Sequence, residues 1–127
     1  MDESVVKQLE QQADLRAIFE RVKAHLLAQG CQSKDADDEC SYRGADGLKC
    51  AVGVLIEGRY YSTRLEGYGA SNPNVVHSLA LSGVGVGPLQ LQLLNRLQSM
   101  HDRALPETWP SQLAIIERWY FGAERSA

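Results

Sequence analysis

Three stretches of this chain place apolar residues at the 3.6-residue repeat of a helix that buries one face, and that repeat limits the fold more than any other feature. In the first, Leu15, Ile18, Phe19, Val22 and Leu26 follow the i, i+3, i+4, i+7, i+11 spacing. Val5, Val6, Leu9 and Ala13 continue the stripe less regularly toward the start. No Gly or Pro interrupts residues 4–29, and Gly30 stands where a left-handed cap ends a helix. The spacing therefore predicts one long helix over 4–29, although Asp14 could cap a shorter one. In the second stretch, Pro88 opens a helix running to about Arg103, with Leu89, Leu93, Leu94, Leu97, Met100 and Ala104 in one stripe. In the third, Trp109, Leu113, Ile116 and Tyr120 share a side and Gly122 stops the helix. The tail AERSA reads as frayed. A fourth, shorter helix is expected at 73–81, capped by Asn72, opened by Pro73 and ended by Gly83, with Val75, Val76, Leu79 and Ala80 inward.

Between the first two helices the pattern changes. Residues 31–41 form a polar acidic loop. Asp35, Asp37 and Glu39 alternate like the first ligands of a calcium loop, but the required glycine falls at Cys40 and the last ligand at the short Asp46. The loop therefore reads as a connector. Gly44 and Asp46-Gly47 mark a tight turn with positive φ, which would let Tyr42-Arg43 pair with Leu48-Lys49 as a small β-hairpin. The run Cys50–Ile56 is too short for periodicity to separate strand from buried helical turn: its valines favour strand, while Ala51 and Gly53 would allow close backbone approach. Residues 57–71 read as an irregular loop with a short strand near 59–63. The fold expected is mainly α: a compact bundle of about four helices in one domain, with a small hairpin and irregular loops.

Composition narrows the function class. At 127 residues, 44% hydrophobic and 23% charged, the chain can bury a single core. No apolar run reaches membrane-span length, so no membrane role is expected. The first ten residues carry acids where a secretory signal carries bases, which points to a cytoplasmic protein. A net charge of −3 disfavours nucleic acid as a partner. The charges are uneven: residues 1–66 hold 12 of the 16 acids and 9 of the 13 bases, whereas the 29 residues from Gly67 to Asn95 contain neither. So long an uncharged stretch is either core or held against something, and it is the expected surface for a protein partner or self-association.

The candidate chemistry is sparse. Cys31, Cys40 and Cys50 follow C-x8-C-x9-C, which lacks the close pairs through which one turn fixes two zinc ligands. They read as small semi-buried thiols, and neither metal nor cofactor is expected. A nucleophilic Cys50 at a helix start, its thiolate favoured by the helix N-terminus, with His25, His77 or His101 as base, is the enzyme alternative. Glu57 and Glu66 form a carboxylate pair of undefined separation. The loop Gly83–Gly87 precedes a helix but lacks the residues of a phosphate-binding motif, so it reads as a spacer. The turn residues Tyr42 and Arg43, the aromatic residues Tyr60, Tyr61 and Tyr68, and His77 are the candidate binding groups.

Tyr42-Arg43-Gly44, Gly47, Cys50-Ala51-Val52-Gly53 and Leu55-Ile56 resemble the core of small uncharacterised proteins from phages, prophages and proteobacteria. In those proteins a helix like 18–27 precedes the motif, a tyrosine and an E-G pair like Tyr60 and Glu66-Gly67 follow it, and a helix pair like 94–102 and 109–120 closes the chain. The resemblance spans most of residues 15–120. The segment Gly83–Gly87 is more glycine-rich than in that pattern. The resemblance implies a compact, mostly helical fold without an established activity, and an accessory role such as modulating a host protein. Two function classes follow: a non-enzymatic protein-interaction module, and a small thiol-dependent enzyme or ligand-binding domain centred on Cys50.

Overall fold

A computed structural model describes residues 2–122. Helix α1 spans Glu3–Gln29 without a break; Asp2 caps it by accepting from the Ser4 amide, and Gly30 ends it at φ 71°. Its buried residues are Leu15, Ile18, Phe19, Val22 and Leu26, the stripe read from the spacing. Val5, Val6 and Leu9 are exposed, so the first three turns of α1 reach past the core. Helix α2 spans Pro73–Leu81, with Asn72 accepting from the Asn74 amide. Helix α3 spans Pro88–Arg103 and α4 spans Trp109–Phe121, ended by Gly122 at φ 83°. The tail expected to fray lies outside the described residues.

Helices α1, α3 and α4 pack on one another in all three pairings. Phe19, Val22 and Leu26 enter one core with Leu93, Leu94, Leu97, Trp109, Leu113 and Ile116. Val75 and Leu79 of α2, together with Cys50–Val52, Leu55 and Ile56, complete it. Arg16 ties α1 to α4 from the outside. Its guanidinium bonds Glu20 at 2.9 Å and Glu117 at 2.8 Å, and lies 3.8 Å from the Phe121 ring centroid. The chain is mainly helical and folds as one compact domain, and no strand occurs among the described residues.

Four sequence expectations need correction, the first on α2, where Ala80 is exposed and Ser78 takes the buried position beside Val75 and Leu79. The hairpin at 42–50 is reduced to a single antiparallel bridge between Arg43 and Lys49, around a turn in which Asp46 (φ 58°) and Gly47 (φ 77°) are left-handed. Its strand hydrogen bonds are diverted to side chains: the Tyr42 and Arg43 amides donate to Glu66, and the Lys49 amide donates to Gln29. The strand near 59–63 is absent; 3-10 turns occupy Gly58–Tyr60 and Thr63–Leu65. On α3, Leu89 is exposed while Gln90 and His101 are buried, so the buried stripe is rotated relative to the apolar pattern.

The run 50–56, ambiguous in sequence, is a buried helical turn with a 3-10 segment at Gly53–Leu55. Close approach explains its glycine: a Cβ on Gly53 would sit 2.2 Å from the Tyr42 carbonyl oxygen. Gly44 is similarly confined, 2.5 Å from Ser33 Oγ at its would-be Cβ, and its φ of −89° shows that it is needed for space rather than for a left-handed turn.

Because Leu94 is fully buried between helices, Leu94→Ala should cost about 2–5 kcal/mol in urea unfolding. Leu81→Ala, at a side chain 47% exposed, should stay within about 0.5 kcal/mol. Equal losses at the two sites would contradict the packing described.

Candidate functional site

The last turns of α3 carry Gln98, His101 and Asp102, which helical spacing brings to neighbouring positions. His101 is fully buried and stacked on Trp109, with ring centroids 5.7 Å apart. The Ser33 amide donates to its Nε2 at 2.9 Å. An amide N–H needs a lone pair on that nitrogen, so the proton of the neutral ring is on Nδ1, and Nδ1–H donates to Asp102 Oδ1 at 2.7 Å. Gln98 Nε2 donates to the same oxygen at 2.8 Å, while its Oε1 accepts from the Val52 amide. Gln32 Nε2 donates to the backbone carbonyls of His101 and Asp102, acceptors that the end of α3 leaves without helical partners.

Cys40 joins this group. The ligand-type atoms of Cys40, His101 and Asp102 lie within 4.8 Å of one another, the one such triad among the described residues. Burial, then the Asp102 carboxylate to which the thiol is hydrogen-bonded, push the Cys40 thiol up to about 11. The wiring defines what the triad can do. Neither nitrogen of His101 is free to take the thiol proton, since one lone pair meets Ser33 and the other nitrogen already carries its proton. A metal on Nδ1 would move the proton to Nε2 and set it against the Ser33 amide. The arrangement suits a buried polar clamp.

Glu66 forms the second knot. Its Oε1 accepts from the Tyr42 amide at 2.8 Å, and its Oε2 accepts from the Arg43 amide at 3.1 Å and the Tyr61 hydroxyl at 2.7 Å. Arg43 lies 4.9 Å from the Tyr61 ring centroid and donates to the Ile56 carbonyl; Tyr42 donates its hydroxyl to the Tyr68 carbonyl. Between the two knots lies a cleft of about 360 Å³, lined by Cys40–Tyr42, Glu66–Ala70 and one side of α3. Its two carboxylates, Glu66 and Asp102, are thus already occupied by protein donors. Glu57, the other half of the sequence pair, is exposed and bonds Arg59.

The remaining candidates are scattered. Cys50 is fully buried. Burial pushes its thiol up to about 12, outweighing the opposite pull of the Gly53 amide, which donates to Sγ at 3.3 Å. The local helix-start effect is therefore present but loses to desolvation. His25 donates through Nε2 to the Lys49 carbonyl at 2.9 Å. His77 is exposed on α2, and Cys31 is exposed after α1. Tyr60 is half-buried, with Arg59 over its ring. In the acidic loop, Asp35 Oδ1 accepts from the Asp37 and Glu39 amides, as in a connector turn.

The uncharged stretch divides. Ala70, Val75, Leu79, Val84, Leu93 and Leu94 are core, while Tyr68, Leu81 and Leu89 are exposed. Leu89 belongs to a face that the sequence reading did not single out. Leu89, Gln92, Arg96, Ser99 and Arg103 share one side of α3, and Ile115 and Trp119 stand beside them on α4. Trp119 is 63% exposed, and Arg96 lies 4.8 Å from its ring centroid. The three grooves along this face, the largest about 530 Å³, contain no Asp or Glu among their described lining residues. Two spacings carried the signal: Ile115 and Trp119 are i, i+4 off the buried stripe of α4, and Arg96 and Arg103 are i, i+7 off that of α3.

Compared with protein-family models, curated proteins and solved structures, the chain matches none. No helix among the described residues is long and apolar enough to cross a membrane.

Two predictions follow from the thiols. In native protein at neutral pH, iodoacetamide should label Cys31 first and leave Cys40 and Cys50 unmodified by intact mass until the chain unfolds; rapid native labelling of Cys40 would contradict the clamp. The Cys50 thiol is higher in the folded state than its ordinary 9.0. Its stabilising contribution is therefore complete below about pH 9 and is lost as pH rises toward about 12, because the unfolded chain ionises first. Urea unfolding between these limits should show this decline, to which the raised Cys40 thiol adds, and Cys50→Ala should make it shallower, most clearly toward about pH 12.

Proposed function

We propose that this chain is a non-enzymatic protein-interaction module whose docking surface is the face shared by α3 and α4. The observation that carries the reading is Trp119, a large aromatic side chain left 63% exposed beside Ile115 and Arg96. Tryptophan and arginine together are the residue types that most often dominate binding energy at protein interfaces. At the end of the uncharged stretch, Leu89, Gln92 and Asn95 are exposed and line the grooves of the same face. The buried Cys50 thiol, and a Cys40 thiol that is half-buried and hydrogen-bonded to Asp102, weigh against a thiol-dependent enzyme or a ligand site centred on Cys50. With the resemblance to phage and prophage proteins, the fuller reading is an accessory protein that modulates a host protein.

The test compares wild type, Trp119→Ala and Tyr68→Ala on identical affinity columns loaded with host lysate. A protein retained by wild type and by Tyr68→Ala should be lost from Trp119→Ala by at least about tenfold. Trp119→Ala should unfold within about 0.5 kcal/mol of wild type. Equal retention by all three proteins, or retention of nothing by a chain that is also strictly monomeric on sizing chromatography, would overturn the reading.

A further inference from the structure

The first turns of α1 supply a candidate occupant for the α3–α4 face. Val5, Val6 and Leu9 are exposed on a helix that has no buried residue before Leu15. Acidic side chains flank them: Asp2, Glu3, Glu10 and Asp14, against the single base Lys7. This half of α1 is an acidic amphipathic helix with no core to cover. The α3–α4 face is its complement, since Leu89, Ile115 and Trp119 are exposed apolar groups and the charges among its described lining residues are Arg96 and Arg103. The lengths agree. Residues 3–14 rise about 17 Å, and Leu89 to Arg103 about 21 Å, at the helical rise per residue.

The α1 segment is continuous with the buried part of its own helix, so it cannot fold back onto its own α3–α4 face. It lies beside that face, because Gln12 lines a groove with Leu89 and Trp119. A two-fold axis near Gln12 would lay each α1 start across the other copy's face, the reciprocal arrangement of a closed dimer. We infer that two copies of this chain associate in this way, with residues 3–13 of each α1 seated against Leu89, Arg96, Arg103 and Trp119 of the other. This rests on the docking face proposed above and names its occupant as a second copy.

The test is sedimentation equilibrium of the full chain over roughly 1–200 µM, where self-association of this kind depends on protomer concentration. Wild type should show a monomer–dimer equilibrium that weakens at high salt, because part of the attraction is between exposed charges. Two charge-reversed variants decide the pairing. Glu3→Arg with Glu10→Arg should remain monomeric alone, as should Arg96→Glu with Arg103→Glu. Mixed one to one they should dimerise again, since each contact then joins opposite charges. Leu9→Glu should weaken the wild-type dimer by at least about tenfold. A wild type that is monomeric throughout, a dimer unaffected by either reversal, or a mixture that fails to recover would overturn the inference. If dimerisation fails while Trp119→Ala still loses a retained host protein, the second copy is the wrong occupant and the docking face stands.

Discussion

Side-chain acceptors and donors, rather than a sheet, hold the backbone between α1 and α2. Residues 31–72 contain no strand and only short 3-10 turns, yet several of their backbone groups are shielded from water. Such groups cost free energy unless they are bonded. Glu66 accepts from two successive amides, His101 accepts from Ser33, Gln29 and His25 bond Lys49, and Gln98 accepts from Val52. Most of these groups project from α1 or α3, so the helix pair organises a long irregular segment that then closes over the core with Cys50–Ile56.

That arrangement decides what is left for function. Cysteine, histidine and carboxylate meet at Cys40, His101 and Asp102, the types from which a nucleophile and its base are made. Here the same groups are spent on Ser33, on Gln98 and on one another. Among the described residues, the outer face of α3 and α4, where Trp119 and Arg96 stack in the open, and the start of α1, where Val5, Val6 and Leu9 are exposed, present apolar surface outside the core.

The helices were legible because apolar spacing and punctuation agree: the 15–26 stripe, Gly30, Asn72-Pro73, Pro88 and Gly122 are all realised as read. The hairpin was not legible, because Glu66 and Gln29, distant in sequence, take the amides a second strand would have used. The α3 stripe was misjudged at its ends for a similar reason. His101 is buried because Ser33 and Asp102 satisfy both ring nitrogens, so its polarity gave no sign of its position. Tyr42 and Tyr68, proposed as binding groups, do meet at the cleft, with the Tyr42 hydroxyl on the Tyr68 carbonyl. The triad was invisible because Cys40 and His101 lie 61 residues apart and only the tertiary fold joins them. Trp119 was readable as off-stripe, but spacing alone does not tell an exposed tryptophan from one covered by another segment.

Native-state hydrogen exchange at the amides of Ser33, Tyr42, Arg43 and Lys49 reports whether side chains hold this backbone. All four lie outside the α-helices, and all four donate to a side chain supplied from elsewhere in the fold. Their exchange should be slowed toward that of the α1 and α3 core amides, opening only with the global unfolding of the domain. Exchange at the rate of an unstructured loop would contradict it, because His101 and Glu66 would then be released from their structural bonds and free for chemistry.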